Sequence, residues 1–166
     1  MRLTKFQKSI LNWYHKNGRK NLPWQQNISA YSVWISEIML QQTQVVTVIP
    51  YYERFMSSFP TVRDLAEATQ DVLMEHWAGL GYYSRARNLH QTAKMIISEF
   101  QGIFPSEIDD LVKLPGIGRT TAGAIKSLAF NQRGPILDGN VKRVLSRYHK
   151  IGGWSGSSKT CLLYTS

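Results

Sequence analysis

The sequence predicts an all-α protein. Apolar residues recur at helical spacing through nearly every segment, breakers and caps fall between those segments, and no strand-like alternation persists. Residues 4–16 place Phe6, Ile10, Leu11, Trp13 and Tyr14 on one stripe, with Gly18 as the stop. Leu22-Pro23-Trp24 is an extended entry, because proline disfavours helix in the residue before it. Residues 30–42 are apolar almost all round, through Tyr31, Val33, Trp34, Ile35, Ile38, Met39 and Leu40, so that helix is expected to be buried. Residues 44–59 form the next, with Pro50 starting or kinking it. Thr61 is expected to cap a short helix to Ala68, with Asp64 three residues on. Helices follow over 71–78, ending at Gly79, and over 84–100, ending at Gly102. A short one runs from a Ser106 cap to Lys113, and two more cover 119–130 and 140–150.

Composition narrows the classes. The chain has 166 residues, a hydrophobic fraction of 43% and a formal net charge of +9, which allows a packed core and points weakly to a polyanionic partner. Its single cysteine excludes an intramolecular disulfide framework and any site needing several thiolates. No run approaches the ~18 apolar residues of a membrane helix, and no apolar stretch follows Met1-Arg2-Leu3 as a secretory signal requires. A protein inside the cell, without a membrane partner, is expected.

The strongest local signal is Leu114-Pro115-Gly116-Ile117-Gly118-Arg119-Thr120-Thr121-Ala122-Gly123. One helix ends, two glycines make a tight hairpin, and a second helix begins. Gly116 and Gly118 let backbone approach a ligand, and the new helix offers free N–H groups and a positive dipole end to a phosphate. An ordinary helix connection is the bland alternative. Glu37 stands one turn from Val33, Trp34, Leu40 and Gln41. Desolvation there raises a carboxyl toward the range useful to a general acid near neutral pH. A solvated face carrying Ser36 and Glu37 is equally compatible with the spacing. Asp138 precedes a helix start at Gly139-Asn140-Val141, where backbone N–H groups and the helix dipole keep a carboxylate ionised. Alone it reads as a plain cap; with Glu37 it forms a pair whose environments push the two acidities apart.

Two further stretches could touch nucleic acid. Gly79-Leu80-Gly81-Tyr82-Tyr83-Ser84-Arg85-Ala86-Arg87 is an aromatic loop able to wedge between bases while its arginines hold phosphates, or a helix-joining turn packed by its own aromatics. Gln41-Gln42-Thr43-Gln44 ends the Glu37 helix with amides able to contact bases, or is a polar helix end. Lys142, Arg143, Arg147 and Lys150 form a basic face that is either solvated or in contact with phosphates.

Leu22-Pro23-Trp24, Ser36 through Gln44, Gly79 through Tyr83, Leu114 through Gly123 and Asp138 through Val144 together closely resemble the MutY-type adenine DNA glycosylases of the helix-hairpin-helix glycosylase superfamily. The resemblance covers residues 5 to 154. It implies a helical-barrel domain over 23–134 with its hairpin at 114–123, and an incomplete second, cluster domain to which helix 1–22 belongs. Residues 135–154 would begin the return segment carrying Asp138. It further implies hydrolysis of the N-glycosidic bond of adenine mispaired with 8-oxoguanine or guanine in duplex DNA, by a monomer in the bacterial cytoplasm. In that frame Glu37 protonates the flipped adenine and Asp138 stabilises the oxocarbenium-like sugar. Glu37, now ionised, activates water, and Asn140 helps orient the site. Trp24 and Leu40 line the base pocket, and Gln42, Thr43, Leu80 and Tyr82 contact the opposite purine. Gly116, Gly118, Thr120, Lys142 and Arg143 complete the DNA-binding set. Endonuclease III resembles the chain over the same hairpin but carries a lysine where Thr120 stands, and a threonine hydroxyl cannot form its Schiff base. A duplex-binding fragment without turnover is the other alternative.

The chain departs from the family in two places. The family continues into four cysteines that hold a 4Fe–4S cluster, whereas Cys161 alone cannot hold one, so no metal is expected here. The helix over 4–16 packs on that further segment in the family, so its apolar stripe is expected to be exposed. Residues 155–166 leave the helical pattern, and Cys161-Leu162-Leu163-Tyr164-Thr165-Ser166 back-translates as TGTCTCTTATACACATCT, which resembles a transposase end sequence. A non-native tail is therefore expected over 155–166.

Overall fold

A computed structural model describes residues 4–153; the tail expected over 155–166 lies outside them. Among the described residues the chain forms nine α-helices and no strand. They are α1 (Lys5–Asn17), α2 (Ala30–Met39), α3 (Val45–Ser58), α4 (Val62–Glu67), α5 (Gln70–Trp77), α6 (Ser84–Phe100), α7 (Ile108–Leu111), α8 (Arg119–Leu128) and α9 (Gly139–Tyr148), with a 3-10 turn at Pro23–Gln25. The all-α expectation holds.

Local chemistry sets most boundaries. Thr4, Ser29 and Thr61 each accept a backbone N–H at the start of their helices and are answered by a side chain three residues on. Two expectations need correction and one pair of alternatives is narrowed. Of its two expected roles, Pro50 does not start its helix but lies inside α3. The carbonyl it deprives of a donor belongs to Val46, an exposed residue that water can reach. Ser106 does not cap α7; Glu107 is its first flanking residue, fixed by an ion pair of 2.9 Å to Lys126 on α8. The helix expected over 30–42 ends at Met39, because Arg85 takes up the last carbonyls of α2.

The core is built from α2 to α8. Helix α2 packs against α3 and α8, and α4 against α6. Trp34, Phe55, Leu65, Leu73, Trp77, Leu89, Ile96, Leu111 and Ile125 are fully buried, in line with the periodic stripes. Edge-to-face aromatic pairs link the elements: Trp34 with Phe104 at 5.4 Å and Trp24 with Tyr52 at 5.4 Å. Helices α1 and α9 differ from the rest, since neither has a buried residue. They meet through Phe6 and Tyr148, whose ring centroids are 4.1 Å apart. Beside that contact lies an open cavity of about 720 Å³, walled by Phe6, Ile10, Trp13, Val144 and Tyr148.

Candidate active site

Glu37 sits in the last turn of α2, flanked by the buried Val33, Trp34 and Ile38, and is itself half-buried. Of the two alternatives left open by its spacing, the structure takes the desolvated one. Ser36 is not outward-facing either: it is buried, and its hydroxyl donates to the Val33 carbonyl at 2.8 Å. Burial pushes the Glu37 carboxyl above its ordinary value, and the nearby negative charge of Asp138 pushes it further the same way. Two carboxylates separated by 100 residues of chain thus lie close enough to interact electrostatically.

Asp138 caps α9, its Oδ1 accepting the Val141 N–H at 2.7 Å. The segment leading to it is fixed by glycine. A Cβ on Gly123 of α8 would run into the Pro135 carbonyl, and one on Gly134 would run into the Gly123 carbonyl. The return segment therefore lies directly on α8, three residues before the aspartate. Asn140, in the first turn of α9, is exposed and accepts a hydrogen bond from Arg143 at 2.9 Å; Lys142 is half-buried.

The hairpin is seated on α6. Leu114 and Ile117 are buried anchors, and the Thr92 hydroxyl donates to the Pro115 carbonyl at 2.9 Å. Gly116 adopts φ +78°, and a Cβ there would press on Asn88 at 2.9 Å, so glycine is required on both counts. Gly118 has extended backbone and open space where its Cβ would be, and no side chain caps α8 behind it. Thr120 is half-buried in the first turn of α8.

The remaining expected residues divide into inner and outer sets. Trp24 is buried against Tyr52, and Leu40 is half-buried at the end of α2. Gln42 is exposed, Thr43 half-buried and Tyr82 61% exposed. Leu80 is only 5% exposed and packs in the core, so the expected purine contact through its side chain does not fit. What the loop offers outward is Tyr82 and, to a lesser extent, Tyr83.

Arg85 is the larger difference. Of the two readings of its loop, phosphate contact does not hold for Arg85: it is 7% exposed and its guanidinium is spent on carbonyls inside the molecule. The clue was available in the sequence, since Arg85, Leu89, Thr92, Ala93 and Ile96 fall on one buried face of α6. The same stripe marks Thr92. The seat of the return segment on Gly123 had no comparable signal.

Among the described residues no three His, Cys, Asp or Glu side chains gather as a metal site, and one cysteine cannot supply the four thiolates of an iron–sulfur cluster. The residues of this chain do not fit that group. No helix among them is long and apolar enough to cross a membrane.

The chain is similar in sequence and fold to known proteins. An adenine DNA glycosylase of Buchnera aphidicola (subspecies Schizaphis graminum) is 55% identical over 154 residues, covering 93% of this chain and 44% of the relative. The human adenine DNA glycosylase is 46% identical over 159 residues, covering 90% of this chain and 29% of the relative. The chain thus spans less than half the length of these relatives. Among solved structures, a thermostable thymine-DNA glycosylase superposes with a TM-score of 0.79 at 26% identity, covering 84% of this chain and 64% of that one. A non-covalent endonuclease III–DNA complex gives 0.75 at 26% identity, covering 94% and 73%. Residues 35–162 match the family described as HhH-GPD superfamily base excision DNA repair protein. That match spans more than half of the chain, and the chain belongs to the HhH-GPD superfamily of base excision DNA repair proteins.

Proposed function

We propose that this chain carries the catalytic core of an adenine DNA glycosylase, which hydrolyses the N-glycosidic bond of adenine opposite 8-oxoguanine or guanine in duplex DNA. The observation that carries the reading is the half-buried Glu37 carboxyl with Asp138 beside it. A carboxyl whose hold on its proton is strengthened by burial can deliver that proton to the adenine ring, and the base then leaves as a neutral molecule. The bonding electrons depart with adenine and positive charge develops on the sugar. The Asp138 carboxylate stabilises that charge, and the Glu37 carboxylate left behind takes a proton from the attacking water. The products are free adenine and an abasic sugar. No amine stands at residue 120, so the chemistry is hydrolysis without a lyase step.

The other residues have supporting parts in this reading. Trp24 and Leu40 line the pocket for the flipped base. Gln42, Thr43 and Tyr82 enter the gap it leaves and meet the opposite purine. The backbone at Gly116, Gly118 and Thr120, with Lys142 and Arg143, holds phosphates, and Asn140 orients the site.

Single-turnover excision from duplex containing adenine opposite 8-oxoguanine tests the proposal. It is run with this chain and with a chimera in which residues 1–154 continue into the remainder of the Buchnera relative. Adenine release by either form is expected. Duplex binding by both without release would instead favour the second reading, a binding fragment, which the absence of buried residues in α9 supports. Thr120→Lys sharpens the distinction from endonuclease III. If residue 120 faces the sugar, the variant chimera gives more borohydride-trapped adduct than its parent; equal trapping with normal excision removes that alignment.

A further inference from the structure

The contacts of Arg85 reach two segments outside its own helix. It is the second residue of α6, and its guanidinium lies 5.3 Å from the Trp77 ring centroid and 5.5 Å from that of Tyr82. Nη1 donates to the carbonyls of Ile38 and Met39 at 3.0 Å each and of Gln41 at 2.6 Å. Nη2 donates to the carbonyls of Leu80 at 3.0 Å and Gly81 at 3.2 Å, and to the Thr43 hydroxyl at 3.3 Å. One planar group therefore grips two segments nearly 40 residues apart in sequence, the end of α2 and the loop before α6.

Backbone geometry gives these contacts a second meaning. Gln42 has φ +56° and Tyr82 has φ +49°, a left-handed conformation that side chains other than glycine rarely adopt. In each segment Arg85 holds the carbonyl immediately before the left-handed residue: Gln41 before Gln42, and Gly81 before Tyr82. Fixing those two peptide planes fixes the direction in which Gln42 and Tyr82 leave the surface. The rigid fork of a guanidinium reaches both sets of acceptors; the single point charge of a lysine does not.

We propose that Arg85 is a positioning residue that latches segments 41–43 and 80–82 into one wedge, so that Gln42, Thr43 and Tyr82 engage the duplex as a unit. The proposal rests on the glycosylase reading for what the wedge touches, but not for the latch itself. Arg85 touches no substrate; it acts through Gln42 and Tyr82.

The test uses the full chain with Arg85→Met and Arg85→Lys. Amide hydrogen exchange of the free protein reads the latch without DNA. Both variants are expected to lose about tenfold or more protection at Thr43 and Leu80 together, while α4 and α8 keep theirs. Loss in one segment only, no loss, or loss throughout the chain overturns the latch. Affinity for duplex with an adenine–8-oxoguanine mispair is measured across a salt series. Both variants are expected to weaken it by about tenfold or more, with the salt slope unchanged. Recovery by Arg85→Lys, or a slope shallower by about 0.9 in Arg85→Met alone, would make Arg85 a phosphate contact and refute the proposal. A parent and a chimera that both show no preference for the mispaired duplex defeat the glycosylase reading, and the exchange data still decide the latch.

Discussion

The helix that carries Glu37 and the helix that Asp138 caps are held in opposite ways. Eight of the ten residues of α2 are buried, so its place is set by packing against α3 and α8. None of the ten residues of α9 is buried. Its start is placed by the N-cap bond to Val141 and by the return segment lying on Gly123, and its end by the Phe6–Tyr148 contact. The site therefore joins a carboxyl whose surroundings are imposed by the core to one whose position depends on a few local contacts. The first arrangement suits an acid that must stay desolvated. The second suits a charge that needs only the right place.

The largest expected effect falls on the core-held member. Glu37→Gln keeps the shape but cannot deliver a proton, and should slow adenine excision by ~10²–10⁴-fold in a form that shows turnover. The same change should stabilise the fold. Because burial raises the Glu37 value in the folded chain, the native state keeps a proton that the unfolded state releases, and stability falls as pH rises through that window. Above the window Glu37→Gln should melt higher than the parent, and below the ordinary carboxylate value the difference should vanish. Melting curves across pH read this directly.

Stability should separate the two regions by itself. Trp77 is 0% exposed beneath α3 and α6, and Trp77→Ala should cost about 3–5 kcal/mol in denaturant unfolding. Trp13, 63% exposed on α1, should change stability by no more than about 0.5 kcal/mol when replaced by alanine. Similar losses at both positions would mean that α1 belongs to the same core.

A smaller effect tests the weakly held member. Gly123→Ala places a methyl against the Pro135 carbonyl and must push the return segment off α8. We expect a cost of about 1–3 kcal/mol. Excision should be slower by about tenfold or more through displacement of Asp138, with duplex affinity little changed. Unaltered excision would show that Asp138 is placed by α9 alone.

The same contrast explains what could be read from sequence. Helices such as α2, α4 and α6 were legible because apolar pattern and burial agree there, with the Thr61 cap marking the start of α4. Glu37 and Asp138 were legible as a pair only through the motifs around them, since spacing left Glu37 open between a solvated and a desolvated face. Arg85 stays open between surface and interior on charge alone, while its place on the α6 stripe specifies burial. Leu80 was misread because its loop position packs inward. The seat of Pro135 on Gly123 is a contact of tertiary structure with no local period behind it.

The central claim is that a desolvated Glu37 shares its site with the charge of Asp138. Carbon-detected NMR titration of the Glu37 side-chain carboxyl, in the parent and in Asp138→Asn, measures this most directly. The account predicts a midpoint above the ordinary carboxylate range in the parent. It predicts a smaller elevation in the variant, because desolvation remains when the neighbouring charge is gone. A parent midpoint within the ordinary range, or one that Asp138→Asn leaves unmoved, would contradict it.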